Sequence, residues 1–386
     1  MVGAAVVAAG TDMGTSSQDR VGLSWRTELA AGIFAHRDEI DVVEVIAEEW
    51  FDAPRSRVSA LRTLAIQISV QLHGTSAGLA SARPVDENRL AKMARLVDMV
   101  QPEAWSEHLA FVRAGDYEIG HLASVPRNPG TVADSAANIT RAQRIVGMVP
   151  MVENIATLIA PPSSSFNEAE WLSQVVTAAD APLLLDLHNL YSNAVNFEPD
   201  STDAPFDALR RLPLDRVRTV HIAGGRWLAA GPDSAEKRWL DDHLHPVPDV
   251  VFSMLEELAA RAPQPLTVVL ERDGAYPPMG DLLLELQLAR AAMRRGRERR
   301  SQFVVCASGP VNRSKVGQSV RLQALLARIY VDTSARASFL AAPEAFARLH
   351  QLDPNETAAL ASIDRTGLAM AARSFARKRE LKQARD

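Results

Sequence analysis

The feature that most limits how this chain can fold is an eightfold recurrence. Short apolar runs lie at Val21–Trp25, Asp41–Ala47, Ile66–His73, Ala104–Ala110, Val149–Ile155, Pro182–Asn189, Val217–Ala223 and Leu266–Glu271. Amphipathic stretches separate them, such as Glu87–Val100, Ser135–Val146, Glu168–Ala179 and Val250–Ala260. Runs of this length between helix-periodic segments read as strands buried on both faces. Strands alternating with helices predict a parallel sheet. Eight such units within residues 21–293 predict an α/β fold, a closed (β/α)8 TIM barrel, which typically takes ~250 residues. An open doubly wound sheet is the competitor, but no glycine-rich phosphate loop follows the first run.

The flanks read differently. Met1–Gly10 is apolar but short and lacks a basic leading region, so residues 1–20 are expected to be a disordered extension rather than a signal peptide. After Met293 the run Arg294-Arg295-Gly296-Arg297-Glu298-Arg299-Arg300 and the breaker Ser308-Gly309-Pro310 suggest a linker over 294–312. Beyond it, Val320–Tyr330, Ala335–Leu340, Pro343–Leu349 and Glu356–Arg377 read as helices, with Asp353-Pro354 as a helix start. Residues 313–386 are therefore expected to form a small helical domain. A net charge of -5 gives no reason to expect nucleic-acid binding. The lone Cys306 excludes an internal disulfide framework and a Cys-based zinc site, and fits a reducing cytoplasm. No run reaches the ~18 uninterrupted apolar residues of a membrane span.

The chemistry sits where the apolar runs stop. In a β/α barrel, reacting groups gather at the C-terminal ends of the strands. Here those ends carry His73, Glu107 and His108, Glu153, Asp186 and His188, His221 and Glu271, and the loop after the seventh run adds Asp241, Asp242, His243 and His245. Six of the nine histidines fall in this set, whereas random placement would scatter them over the helices too. Asp186 and His188, two apart, are expected on one face of a strand. A buried strand ending in a carboxylate and an imidazole needs something to satisfy both, and a metal ion does so most directly. Imidazole and carboxylate donors without thiolate suit iron, manganese or zinc. There are too many donors for one ion, and a bridging Glu153 would let two or three ions share the site.

The motifs Gly22-Leu23-Ser24-Trp25-Arg26, Leu72-His73-Gly74, Ser106-Glu107-His108-Leu109, Glu153-Asn154, Asp186-Leu187-His188-Asn189-Leu190-Tyr191, His221-Ile222-Ala223-Gly224, Asp241-Asp242-His243-Leu244-His245-Pro246-Val247-Pro248 and Leu270-Glu271-Arg272-Asp273 occur in one order along residues ~20–290. As a set they resemble the multinuclear non-haem iron-dependent oxidative enzymes, typified by the methanobactin-biosynthesis oxidase, a family with a xylose-isomerase-like barrel. The resemblance implies two or three irons, mixed Fe(II) and Fe(III), held by His73, His108, Glu153, Asp186, His221, Asp241, His243 and Glu271. Glu153, Asp186 and His221 would form the catalytic heart of that set. His188 is a departure, since many relatives have Asn there; an imidazole can still bind metal, so it joins the expected ligands. His245 would replace His243 if the loop register differed. The family uses dioxygen to oxidise a Cys, Asn or Asp side chain of a ribosomally made precursor peptide, often with a partner protein that delivers it. Arg26 and Arg272 are then expected to hold a peptide carboxylate, with Asn189 beside them; salt bridges of the two arginines to Glu48, Glu49 or Asp273 are the alternative. Trp25, Trp105 and Tyr191 are candidates for the pocket wall or for ordinary core. The helical tail suggests a fused module that recruits the precursor or a second protein, or else a cap on the barrel's outer helices. Metal-dependent sugar isomerases, apurinic-site endonucleases and non-catalytic metal-binding proteins remain competing readings of the same strand ends.

Overall fold

The computed structural model describes residues 18–229, 236–300 and 319–383. In chain order the strands are β1 (Arg20–Ser24), β2 (Val42–Ile46), β3 (Ser69–Gly74), β4 (Ala104–His108), β5 (Phe111–Ala114) and β6 (Tyr117–Ala123). They continue as β7 (Met151–Glu153), β8 (Leu183–Asp186), β9 (Val217–Ile222), β10 (Gly225–Ala229), β11 (Lys237–Asp241) and β12 (Thr267–Leu270). Eight of them close a parallel barrel in the order β1-β12-β9-β8-β7-β4-β3-β2. This is the predicted TIM barrel, and each barrel strand falls within or beside one of the eight apolar runs.

Alternation along each strand sends one set of side chains to the surrounding helices and the other into the barrel. The outward set (Leu23, Val43, Leu72, Trp105, Val152, Leu185, Val220, Val268) joins the main apolar core. The inward set is largely polar. At the base of the barrel Arg20 pairs with Glu103 at 2.7 Å and donates to Thr267 Oγ1 at 2.9 Å. Gln71 donates to Glu103 at 2.7 Å and accepts from Thr219 Oγ1 at 3.1 Å across the interior. Ala104, Met151 and Leu184 form a separate apolar cluster above one side of this network. Next to it β1 and β2 approach so closely that a Cβ on Gly22 would lie 1.9 Å from the Val42 carbonyl oxygen, so only glycine fits there. The uppermost inward layer is the chemical one: Glu44, His73, His108, Glu153, Asp186 and His221, followed by Glu271 just past β12.

Several expectations are corrected. The run Pro182–Asn189 is strand only to Asp186; Leu187–Phe197 is a helix. Asp186 is its N-cap, accepting the Asn189 N–H at 2.8 Å, so His188 lies in the first helical turn and not on Asp186's strand face. Two hairpins went unanticipated. β5–β6 springs from the end of β4, and β10–β11 from the end of β9, which turns the expected loop position Asp241 into a strand residue.

The basic run at 294–300 is not linker but the end of the helix Met279–Arg300. Arg297 fastens it to Asp19 and to the carbonyls of Ala259, Ala262 and Gln264, saturating a guanidinium that looked solvated. The remainder of the expected linker, and residues 1–17 of the expected extension, lie outside the described residues.

The tail is helical, as Ser319–Val331, Thr333–Ala341, Pro343–Leu349, Pro354–Ala361 and Arg365–Gln383. Asp353 starts the fourth of these through a capping box with Glu356. The expected single helix Glu356–Arg377 is broken after Ala361, where Asp364 accepts the Gly367 N–H at 3.0 Å and starts the next. Among the described residues the tail's main contacts with the barrel are not with its outer helices. It seats on the loop after β3 and on the rim hairpins: Gln323 accepts the Ala82 N–H at 2.9 Å, Arg379 donates to the Ile119 carbonyl at 2.7 Å, and Asp364 pairs with Arg238 at 2.8 Å. No helix among the described residues is long and apolar enough to cross a membrane.

Candidate metal centre

Seven barrel strands each deliver one imidazole or carboxylate to the C-terminal end of the interior, and the end of β11 and the turn after it add Asp241 and His243. His73 Nδ1 lies 2.8 Å from Ser106 Oγ, and His108 Nδ1 lies 3.1 Å from the Gly74 carbonyl. A carbonyl only accepts, so His108 keeps a proton on Nδ1, and Nε2 is the inward nitrogen whose lone pair a metal would take on displacing its proton. Both Nε2 atoms converge on Glu153 Oε2, at 3.5 Å from His73 and 3.2 Å from His108. On the other side Glu153 Oε1 is 3.2 Å from His221 Nδ1, which is also 3.3 Å from Glu271 Oε2. Glu153 thus stands between two groups of donors.

Asp186 is set by two clamps. Asn154 grips its backbone at both ends, donating to its carbonyl and accepting its N–H, each at 2.9 Å. The helix N-terminus takes Oδ1, leaving Oδ2 buried with no hydrogen-bond partner. His243 sits in a turn at φ +57°, a left-handed conformation uncommon for non-glycine residues. Two backbone bonds of 3.0 Å hold it there, from its N–H to the Gly224 carbonyl and from the Asp273 N–H to its own carbonyl. Its Nε2 lies 2.8 Å from Asp241 Oδ1, and its Nδ1 3.6 Å from Glu271 Oε2.

Donor atoms within 4.8 Å of one another define overlapping groups: His73, His108, Glu153; Glu153, Asp186, His221; Glu44, His221, Glu271; Asp186, His243, Glu271; and His188, Asp241, His243. Glu153 Oε2, Asp186 Oδ2, His221 Nδ1 and both ring nitrogens of His243 are buried without a hydrogen bond. Orphaned polar atoms of this kind are rare, and here all are good donors to a borderline metal. The residues therefore fit a multinuclear centre.

The electrostatics point the same way. Burial pushes the Asp186 carboxyl up, and the charges of Glu153, Asp241 and Glu271 push it further, well above the usual carboxylate range. Burial pulls the His108 imidazolium down, but Glu153, Glu107 and Glu271 outweigh it and hold its pKa up at about 9. Burial alone would raise Glu271, yet His221 and His243 bring it well below its ordinary value. Protons on imidazoles thus balance the acids, the task that bound cations would take over.

Of the expected ligands, the structure brings together His73, His108, Glu153, Asp186, His221, Asp241, His243 and Glu271. His245 is not among them; its Nδ1 pairs with Asp242 at 2.9 Å. Glu107 faces the other way, its carboxylate taking the N–H groups of Ser76, Ala77 and His108 as a loop anchor. Arg26 pairs with Asp273, which also lies 3.3 Å from His243 Nδ1, so Arg26 does stand at the rim. Arg272, expected on the peptide, is instead buried and donates to Glu285 at 2.9 Å, because the main chain turns its side chain away from the mouth. Asn189 donates to the Asn154 carbonyl at 3.1 Å and keeps a buried, unpartnered Oδ1. Trp105 is core, donating to the Met148 carbonyl at 2.9 Å, whereas Tyr191 packs edge-on against Trp239 with centroids 5.4 Å apart.

Glu44 was missed. Its Oε2 lies 3.0 Å from His221 Nε2, and its only sequence signal is a lone carboxylate inside Val42-Val43-Glu44-Val45-Ile46. Trp239 was missed for want of the hairpin that places it.

Residues 20–294 match the family model described as RiPP precursor modification enzyme MbnB/TglH/ChrH. A UPF0276 protein of Streptomyces avermitilis is 36% identical over 279 residues, 70% of this chain but 54% of that protein's length. A UPF0276 protein of Caulobacter vibrioides is 30% identical over 263 residues, 68% of this chain and 90% of that one. A solved xylose isomerase-like TIM barrel/4-hydroxyphenylpyruvate dioxygenase fusion protein overlays with a TM-score of 0.49 at 15% identity, covering 74% of this chain and 44% of that chain. With a family model spanning the whole barrel and its donor set in place, the chain belongs to the MbnB/TglH/ChrH family of RiPP precursor modification enzymes.

Proposed function

We propose that this chain is an iron- and dioxygen-dependent oxidoreductase of the cytoplasm that oxidises one side chain, of Cys, Asn or Asp type, in a ribosomally made precursor peptide. The family description supplies the substrate class. The observation that carries the reading is the sharing of Glu153, Asp186, His221 and Glu271 among overlapping donor groups, which a single cation would not need. His73, His108 and Glu153 would hold one ion. Glu153, Asp186, His221 and Glu271 would hold a second, and Asp186, Asp241, His243 and Glu271 a third. Iron, two or three ions in mixed Fe(II)/Fe(III) states, would supply the electrons and the activation of dioxygen.

The chain's own residues do the rest. Glu153, which belongs to two of the donor groups, would be shared between neighbouring ions. Glu44 pairs with His221 Nε2 and so keeps Nδ1 aimed at the centre. The ligand layer is almost wholly buried, which excludes bulk water from the reacting groups. Arg26, paired with Asp273 at the rim, would meet the peptide, and Asn189 would line the pocket beneath it.

Anaerobic purification, metal analysis and iron spectroscopy, followed by oxygen uptake with the cognate peptide, test this reading. Iron at two or three equivalents and peptide-dependent oxygen consumption are expected. Manganese with sugar turnover, zinc with DNA cleavage, or iron-loaded protein that consumes no oxygen with its peptide would each sink it.

The tail's proposed role is recruitment of the precursor or its carrier protein. Its last helix carries Arg365, Arg373, Arg377, Lys378, Arg379 and Lys382 against the single Glu380, and it seats beside the barrel mouth. Reversing the exposed Arg377 to Glu should weaken binding of an acidic full-length precursor about tenfold, read by fluorescence anisotropy, and spare turnover of a short core peptide. Unchanged precursor affinity would reject recruitment through this helix.

A further inference from the structure

His188 is fully buried in the first turn of the helix Leu187–Phe197, and both of its ring nitrogens are engaged. The Trp239 indole N–H points at Nε2 from 2.9 Å, and Nδ1 lies 2.7 Å from Asp241 Oδ1. An indole nitrogen can only donate, so His188 Nε2 must offer its lone pair. A neutral imidazole that accepts at Nε2 carries its proton on Nδ1, and that proton goes to Asp241. An imidazolium would set two N–H groups against each other at Trp239. A cation on Nδ1 would do the same, because the neutral ring would then be protonated at Nε2. No lone pair is left over for a metal.

The tryptophan has little freedom to yield. The Asn196 side chain pairs with its backbone like a neighbouring strand, accepting the Trp239 N–H at 2.7 Å and donating to its carbonyl at 2.9 Å. Its ring is held edge-on between Tyr191, at 5.4 Å, and Trp227, at 5.5 Å. Gly225 packs against the same contact: a Cβ there would lie 2.3 Å from the Leu240 carbonyl oxygen, 2.9 Å from Trp239 Nε1 and 3.0 Å from His188 Cε1.

We infer that His188 is a positioning residue and not a metal ligand: through the chain Trp239 to His188 to Asp241 it fixes the Asp241 carboxylate beside His243 for the third cation. A carboxylate that accepts a neutral N–H keeps its full negative charge, so Asp241 is oriented without being neutralised. The inference rests on the multinuclear reading above and removes His188 from the ligands that the sequence suggested. It also ties the β10–β11 hairpin to one end of the metal centre.

The test uses the full chain loaded with zinc, a diamagnetic probe, and nitrogen-15 NMR of the histidine rings, with metal titrations of variants. His188 should show a protonated Nδ1 and a metal-free, hydrogen-bonded Nε2; a metal-bound His188 nitrogen overturns the inference. Trp239→Phe frees the tautomer and should weaken one metal equivalent 10- to 100-fold, the usual cost of losing an outer partner. His188→Asn, whose amide can still donate to Asp241, should retain that equivalent, and His188→Leu should lose it. Undiminished affinity in Trp239→Phe, or equal loss in the Asn and Leu variants, speaks for direct ligation. If the unmutated chain binds no metal, the multinuclear reading fails by itself, and the metal-free NMR spectrum still decides the tautomer.

Discussion

Glu153→Gln is expected to lower turnover roughly a thousandfold, about 4 kcal/mol at the transition state, the scale of breaking a buried charged pair. The side chain is 1% exposed, and its two oxygens serve different neighbours, Oε2 facing His73 and His108 and Oε1 facing His221. Glutamine keeps the shape and one oxygen. It replaces the other with an amide that can only donate, so one of the two adjacent sites loses its ligand and the shared charge disappears from both. Metal analysis should show the loss of at least one equivalent. Glu118→Gln, an exposed side chain of the β5–β6 hairpin, serves as the control and should change nothing. A Glu153→Gln protein with full metal content and more than about a tenth of the rate would remove the bridge from the account.

Stripping the metals is expected to make stability fall as pH rises, and the sign follows from the centre's own charges. Burial opposes the His108 imidazolium, but Glu153 and its neighbours hold its pKa up at about 9. The stability this contributes is fully present below the unfolded value of about 6.5 and is lost as pH climbs through the folded one. For this nearly buried group the loss is on the order of 3 kcal/mol. His221 and His243 shift in the same direction. Asp186, raised by burial and by its acidic neighbours, adds a loss of the same sign as pH rises above the ordinary carboxylate range. At the acid end Glu271 and Asp241 act oppositely: depressed by the imidazoles, they lose their contribution as pH falls below the ordinary carboxylate range.

Metal reverses the alkaline trend because its ligands must be deprotonated, so affinity grows with pH. The melting temperatures of loaded and stripped protein should therefore diverge between pH 6.5 and 9, by roughly 4 °C from His108 alone in a chain of this size. Parallel melting curves across that window would show that the imidazoles are not charged in the stripped protein.

Much of this was legible along the chain. Each barrel strand is a local apolar run of fixed length, and each donor marks the place where a run stops, so the strand repeat and the ring of imidazoles and acids could be read without knowing which strand pairs with which. His73, His108, Glu153 and His221 follow from that logic. What lay hidden depends on partners far away in sequence. Glu44 looks like a stray charge inside a strand until closure of the barrel brings it to His221, 177 positions later. Arg272 resembles a peptide anchor until Glu285 is seen to bury it. His188 carries a ligand's chemistry, and only its place on a helix, with Trp239 folded back across it on an unforeseen hairpin, consumes its lone pair. Residue type and spacing fix which groups can donate to a metal, because those are local properties. Which lone pairs stay free is decided by contacts between distant segments, and these exist only once the barrel has closed.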